Sequence, residues 1–144
     1  MKILMLFKKI TNGILLIIIG IIHSLTVVLP ENGRQFIKAS HSYFYKIGEG
    51  MKELPIESGK MDLEMMTFFW FFYFGLLLIP LGLLVHSIEK NKGVLPYSFT
   101  VSYLIFVMIG SYMIPDSGMT AIMLPQAIYM LIINYLRKRK RQTV

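Results

Sequence analysis

The chain has no cysteine among its 144 residues. That absence excludes a disulfide framework and any thiolate-bound metal, so neither oxidative stapling nor a zinc ribbon holds the fold. Charge is scarce as well: 16% of residues are charged and 55% are hydrophobic, against about a quarter and about half in soluble domains. From Met66 to His86 there is no Lys, Arg, Asp or Glu at all. Acids are the rarer sign, 8 against 15 Lys and Arg, which leaves a net charge of +7. Such an excess suits either nucleic acid or an anionic membrane surface, and its distribution decides between them. Five of the basic residues form one run, "RKRKR" at 137–141, directly after an apolar segment, as membrane-surface anchors do. No basic stripe interleaves with aromatics, so no nucleic-acid partner is expected. Gly-rich phosphate loops, nucleophile elbows and HExxH are also missing.

Apolar runs are what the sequence does contain. A bilayer core of about 30 Å needs about 20 helical residues, and four segments meet that length: 10–29, 63–88, 94–114 and 118–136. They lack the strict alternation and the shorter length of membrane strands. The expected fold class is therefore an all-α membrane protein, a four-helix transmembrane bundle forming a single integral membrane domain over 1–144. Pro30 and Pro115 are expected to stop the first and third spans, because proline removes a donor and clashes one turn back. Pro96 suits a helix start. Pro80 and Pro125 lie inside spans, free the carbonyls of Leu76 and Ala121, and are expected to kink their helices. The first span is too long for the apolar core of a signal peptide and lacks a small-residue cleavage site, so it is expected to stay as an anchor.

Orientation follows from the basic flanks. With the N-terminus inside, ten Lys and Arg face the cytoplasm (Lys2, Lys8, Lys9, Lys90, Lys92 and the basic tail within 137–144), and five face out (Arg34, Lys38, Lys46, Lys52, Lys60). Both termini are thus expected in the cytoplasm. The outer loop, 30–62, puts Phe36, Tyr43, Phe44, Ile47 and Met51 near one side of a helical wheel, which predicts an amphipathic extracytoplasmic segment between the first two helices.

Small residues recur one heptad apart, Gly13, Gly20 and Ser24 in the first span and Gly75 and Gly82 in the second, as helices in close contact require. Polar residues at depth are the candidates for function, since each is costly in hydrocarbon. His23 lies in the outer half of the first span. On the second, Glu64, Phe68, Phe71, Gly75, Gly82 and His86 share a face. The antiparallel run brings His23 level with Glu64, Phe68 and Phe71, while Asp116, Ser117 and Gln126 fall at the same end. Together they predict an outward pocket with aromatic walls. Plainer roles stand beside this one: His23 bonded to a carbonyl across helices, Glu64 as a helix-terminal charge, and Asp116 and Ser117 as caps of the fourth span. Trp70 points away from Gly75 and suits an interfacial anchor. His23, His41 and His86 lie at different depths, so no metal site and no cofactor are expected.

The order of "GIIHS", "FFWFFYFGLLLIPLGLL", "VLPYSFTVSYLIF" and "YMIPDSGMTAIMLPQAI" resembles a family of small four-helix bacterial membrane proteins known as a domain of unknown function. His23, the Phe69-Trp70-Phe71 triplet, and Pro115, Ser117 and Gly118 carry the resemblance. It implies the fold, the topology and a bacterial plasma membrane, and no activity.

The leading expectation is a non-enzymatic protein that binds a small apolar or lipidic molecule, or a partner protein, at its outer end. Membrane lipids and another membrane protein are the partners this implies, and a homo-oligomer is compatible with it. The alternatives are a membrane enzyme on a lipid or quinone-like substrate with His23 as base, and an immunity or stress accessory acting through helix contacts.

Overall fold

The computed structural model describes residues 10–29 and 63–142, and the side chains of 63–65 lie outside that description. Among the described residues the fold is all α, with four α-helices, one π-helical turn and no strand. The helices are α1 (Asn12–Val28), α2 (Leu63–Lys92), α3 (Tyr97–Met113) and α4 (Leu124–Gln142), and the π turn is Met119–Met123. Met66–Lys92 and Met119–Gln142 are each long and apolar enough to cross a membrane, while α1 and α3 are apolar helices of 17 residues. The amphipathic segment expected within 30–62, with His41, lies outside the described residues.

Each boundary has a local cause. α1 stops two residues before Pro30, because a residue preceding proline avoids the helical region. α2 ends at Gly93, whose φ of 66° suits only a residue without a Cβ. Its N–H returns to the carbonyl of Glu89 at 3.0 Å, the left-handed cap that closes many helices. Lys90 and Lys92 stand in that last turn, where cations meet the negative end of the helix. Pro96 precedes α3, and its carbonyl accepts from the N–H of Phe99 and Thr100. At the other end Ile114, before Pro115, leaves the helix with ψ 82°. Pro80 sits inside a continuous α2. Upstream of Pro125 the chain adopts the π turn, in which Leu124 donates to the carbonyl of Met119. α4 continues past 136 through the basic run, so those cations occupy its final turns.

The fold divides into two compact units. The first holds 10–19 and 80–142 of the described residues. Here α1 and α2 meet through Gly13 and Gly82: a Cβ on Gly13 would fall inside the backbone of Gly82 and His86, and one on Gly82 would lie 2.6 Å from the Gly13 carbonyl oxygen. α3 packs against α4 and the π turn, and Val107, Met123, Ala127 and Met130 of these elements are buried. The second unit holds 20–29 and 63–79. In it Gly20 faces Gly75, and a Cβ on Gly20 would lie 2.6 Å from the Gly75 carbonyl oxygen. Ser24 Oγ donates to the Phe72 carbonyl at 3.3 Å. The small residues noted in the sequence are therefore the points of closest approach.

Candidate functional site

In the second unit, helical spacing aligns Phe68, Phe71, Gly75 and Leu78 along α2. Gly75 and Leu78 are buried. One turn further toward the helix start, where no glycine draws the helices together, a cavity of about 370 Å³ remains, lined by Thr26, Val27, Thr67, Phe68 and Phe71. Its volume falls within the roughly 300–1,000 Å³ of small-molecule sites, and an apolar wall with few polar groups is their usual composition. No formally charged residue lines it. The His23 ring stacks on Phe71 with centroids 3.8 Å apart and planes inclined by 21°, and it meets Phe74 edge-on at 5.5 Å. The ring Nε2 is buried without a hydrogen-bond partner. Such an orphaned polar atom is uncommon and costs free energy unless something binds it. The Thr26 hydroxyl is committed to the His23 carbonyl at 2.6 Å.

Of the expected site residues, Phe68 and Phe71 line this cavity, and His23 stacks on Phe71 without lining it. Glu64 lies in α2, and its side chain is outside the described part. Asp116, Ser117 and Gln126 belong to the first unit. There Asp116 is exposed, Ser117 Oγ accepts from the Thr120 N–H at 3.3 Å as a capping residue does, and Gln126 Oε1 accepts from the Tyr103 hydroxyl at 2.9 Å. Among the described residues no group of three His, Asp or Glu is placed to hold a metal ion.

The first unit contains a polar cluster that the sequence reading did not anticipate. Glu89 has a side chain only 1% exposed. Its Oε1 accepts from Arg137 at 2.7 Å and from Asn12 Nδ2 at 2.8 Å, and its Oε2 accepts from the Gly13 N–H at 3.3 Å. α1 has no acid in its own first turn, and the carboxylate of α2 takes that place against the positive end of α1. Beside it, Thr11 Oγ1 and His86 Nδ1 are 2.7 Å apart. Asn134 forms a second clamp: its Oδ1 accepts from the Leu95 N–H at 2.7 Å and its Nδ2 donates to the Leu95 carbonyl at 2.9 Å. α4 is thereby tied to the α2–α3 connection. The signal for both clusters was in the sequence, since Asn12, Asn134 and Glu89 interrupt or border apolar runs.

No curated protein and no solved structure matches the chain. A family model does, over residues 8–137, which takes in all four helices except the last turn of α4. The chain therefore belongs to the family described as "Family of unknown function (DUF6463)".

Proposed function

We propose that this is a four-span integral protein of the bacterial plasma membrane, with both termini cytoplasmic, that binds a small apolar or lipidic molecule in the cavity beside His23. The observation that carries the binding reading is that cavity, apolar and uncharged, with Phe71 in its wall and His23 stacked on Phe71. An acyl chain fits such a wall. The membrane reading is supported by burial. Only 22% of the most apolar window of α2, and 28% of that of the π turn and α4, is buried, whereas the core helix of a water-soluble domain is mostly covered. Large side chains such as Ile22, Leu77, Leu84 and Ile109 are half exposed, which hydrocarbon accepts and water does not. Phe69, Trp70 and Tyr73 form an edge-on and stacked cluster with Trp70 and Tyr73 half exposed, and such amphipathic rings favour the lipid headgroup level.

The test is mass spectrometry of lipids retained by the detergent-purified chain, with Phe71→Ala and His23→Ala compared with the parent. Retention of one lipid or apolar metabolite at near-stoichiometric level, lost in Phe71→Ala and weakened by His23→Ala, is the expected result. An empty protein, or retention that ignores both changes, refutes the binding reading. The enzyme alternative would show turnover lost in His23→Ala, and the accessory alternative a co-purified membrane protein indifferent to that change.

A further inference from the structure

A second cavity, of about 520 Å³, lies in the first unit between the first turn of α3 and the last turns of α4, lined by Tyr97, Tyr135, Lys138, Arg139 and Gln142. Its chemistry is opposite to that of the first. Every lining side chain carries an N–H or O–H donor, two carry a positive charge, and no acid is among them. The four residues from α4 are spaced i, i+3, i+4 and i+7, which puts them on one helical face. Lys138 Nζ sits 4.6 Å from the centre of the Tyr97 ring, a cation–π contact that fixes the ammonium at the cavity while leaving its other donor directions open. α3 has no acid in its first turn, and the buried carboxylate of Glu89 is already committed to Arg137, Asn12 and Gly13.

The basic run is thus divided by geometry. Arg137 turns to Glu89, Arg141 lies against Gly93, and Lys138 and Arg139 face the cavity.

We infer that this cavity binds a phosphodiester anion, supplied by the headgroup of an anionic phospholipid in the cytoplasmic leaflet. Phosphate oxygens are acceptors only and match a wall of donors; tyrosines favour the headgroup level, and basic pockets on the cytoplasmic side are where acidic headgroups are held. The inference rests on the membrane reading above and is independent of the first cavity.

Native mass spectrometry of the full chain, delipidated in neutral detergent and titrated with phosphatidylglycerol, phosphatidylcholine or inorganic phosphate, tests it. Phosphatidylglycerol is expected to bind at least about tenfold more tightly than phosphatidylcholine. Lys138→Gln is expected to lose about tenfold, the worth of a charge-assisted hydrogen bond, and Lys138→Arg to keep most of the affinity. Arg141→Gln, an equal loss of charge from a residue outside the cavity lining, should change it less than twofold. Equal losses in Lys138→Gln and Arg141→Gln would reduce the site to unspecific surface charge and overturn the proposal. So would equal binding of the two lipids, or displacement of the lipid by stoichiometric inorganic phosphate, which would assign the site to a free anion. Failure of the membrane reading shows earlier and separately, as a chain that stays monodisperse without detergent.

Discussion

Replacing Arg137 by Ala strips a buried carboxylate of the one cation that pairs with it among the described residues. Glu89 would keep Asn12 Nδ2 and the Gly13 N–H as donors, but with its side chain 1% exposed it could not be rehydrated. Breaking a buried pair from one side costs about 3–5 kcal/mol. The Arg137 side chain is 37% exposed, so water already weakens the attraction, and the expected loss is at the low end, about 3 kcal/mol. The reverse change is milder. Glu89→Gln removes the charge while its carbonyl oxygen still accepts from Asn12, and the freed guanidinium turns to water, for an expected loss of about 1 kcal/mol. Combining the two should return most of the difference, because no charge is then left buried. The Glu89→Gln/Arg137→Ala chain should be more stable than Arg137→Ala alone. Reversible unfolding by titrating a denaturing detergent into mixed micelles, followed by circular dichroism, measures all four corners of this cycle. Additive losses, with the double variant weaker than either single one, would refute the view that an uncompensated charge dominates.

Two glycines should behave in opposite ways. Gly13→Ala drives a Cβ into the backbone of His86 and Gly82, and the overpacking cost of about 1–3 kcal/mol exceeds the roughly 1 kcal/mol gained in helix propensity; Gly118→Ala, at φ −59° with nothing within 4 Å, should be neutral or stabilising by about 0.4–1 kcal/mol. Thermal melts of both in one detergent check the pair, and a stable Gly13→Ala would contradict the close packing. Asn134→Leu removes both bonds to Leu95 and leaves that buried N–H without its acceptor, for a loss of about 1–3 kcal/mol. Amide hydrogen exchange at Leu95 should accelerate in that variant and stay unchanged in Asn91→Ala, whose side chain bonds only Ser87 at the exposed surface.

The helices were legible because their limits are set by single residues whose chemistry leaves little choice. Pro30, Pro96 and Pro115 mark ends or starts within two residues of the observed ones. The glycine contacts were legible for a similar reason: a missing Cβ at heptad spacing has few uses in an apolar helix. The aromatic cavity was legible in part. Helical spacing and the antiparallel run align His23 with Phe68 and Phe71, but neither can show that the imidazole Nε2 would be buried without a partner. The Glu89 cluster was not legible, because its carboxylate stands just beyond the apolar run, where composition does not distinguish a buried acid from an exposed one. The π turn was half legible. Pro125 shows that Ala121 must lose a donor, while the register that absorbs the loss depends on what packs upstream, where Met119 lies against Gly110.

A common physical reason joins the parts that were hard to read. In the hydrocarbon environment proposed above, apolar surface gains nothing by leaving lipid, so the hydrophobic effect cannot select which helix meets which. The selection passes to backbone approach at glycines and to a small number of polar bonds. In the first unit some of these bonds share a form, beside the side-chain pairs of Glu89, His86 and Gln126: a side chain of one helix bonds backbone groups of another segment. Glu89 serves the N-terminal end of α1 through Gly13, Asn134 serves both main-chain groups of Leu95, and in the second unit Ser24 shares the carbonyl of Phe72. The partners are 39 to 76 residues apart, so no local pattern announces them. What the sequence does announce is the donor or acceptor itself, standing in an apolar run where it must find a partner. Against that rule, Asn12 Oδ1, Ser111 Oγ and Gln126 Nε2 in the first unit and His23 Nε2 in the second are buried without a hydrogen-bond partner. In the binding reading proposed above, a ligand atom would be the partner of the His23 nitrogen.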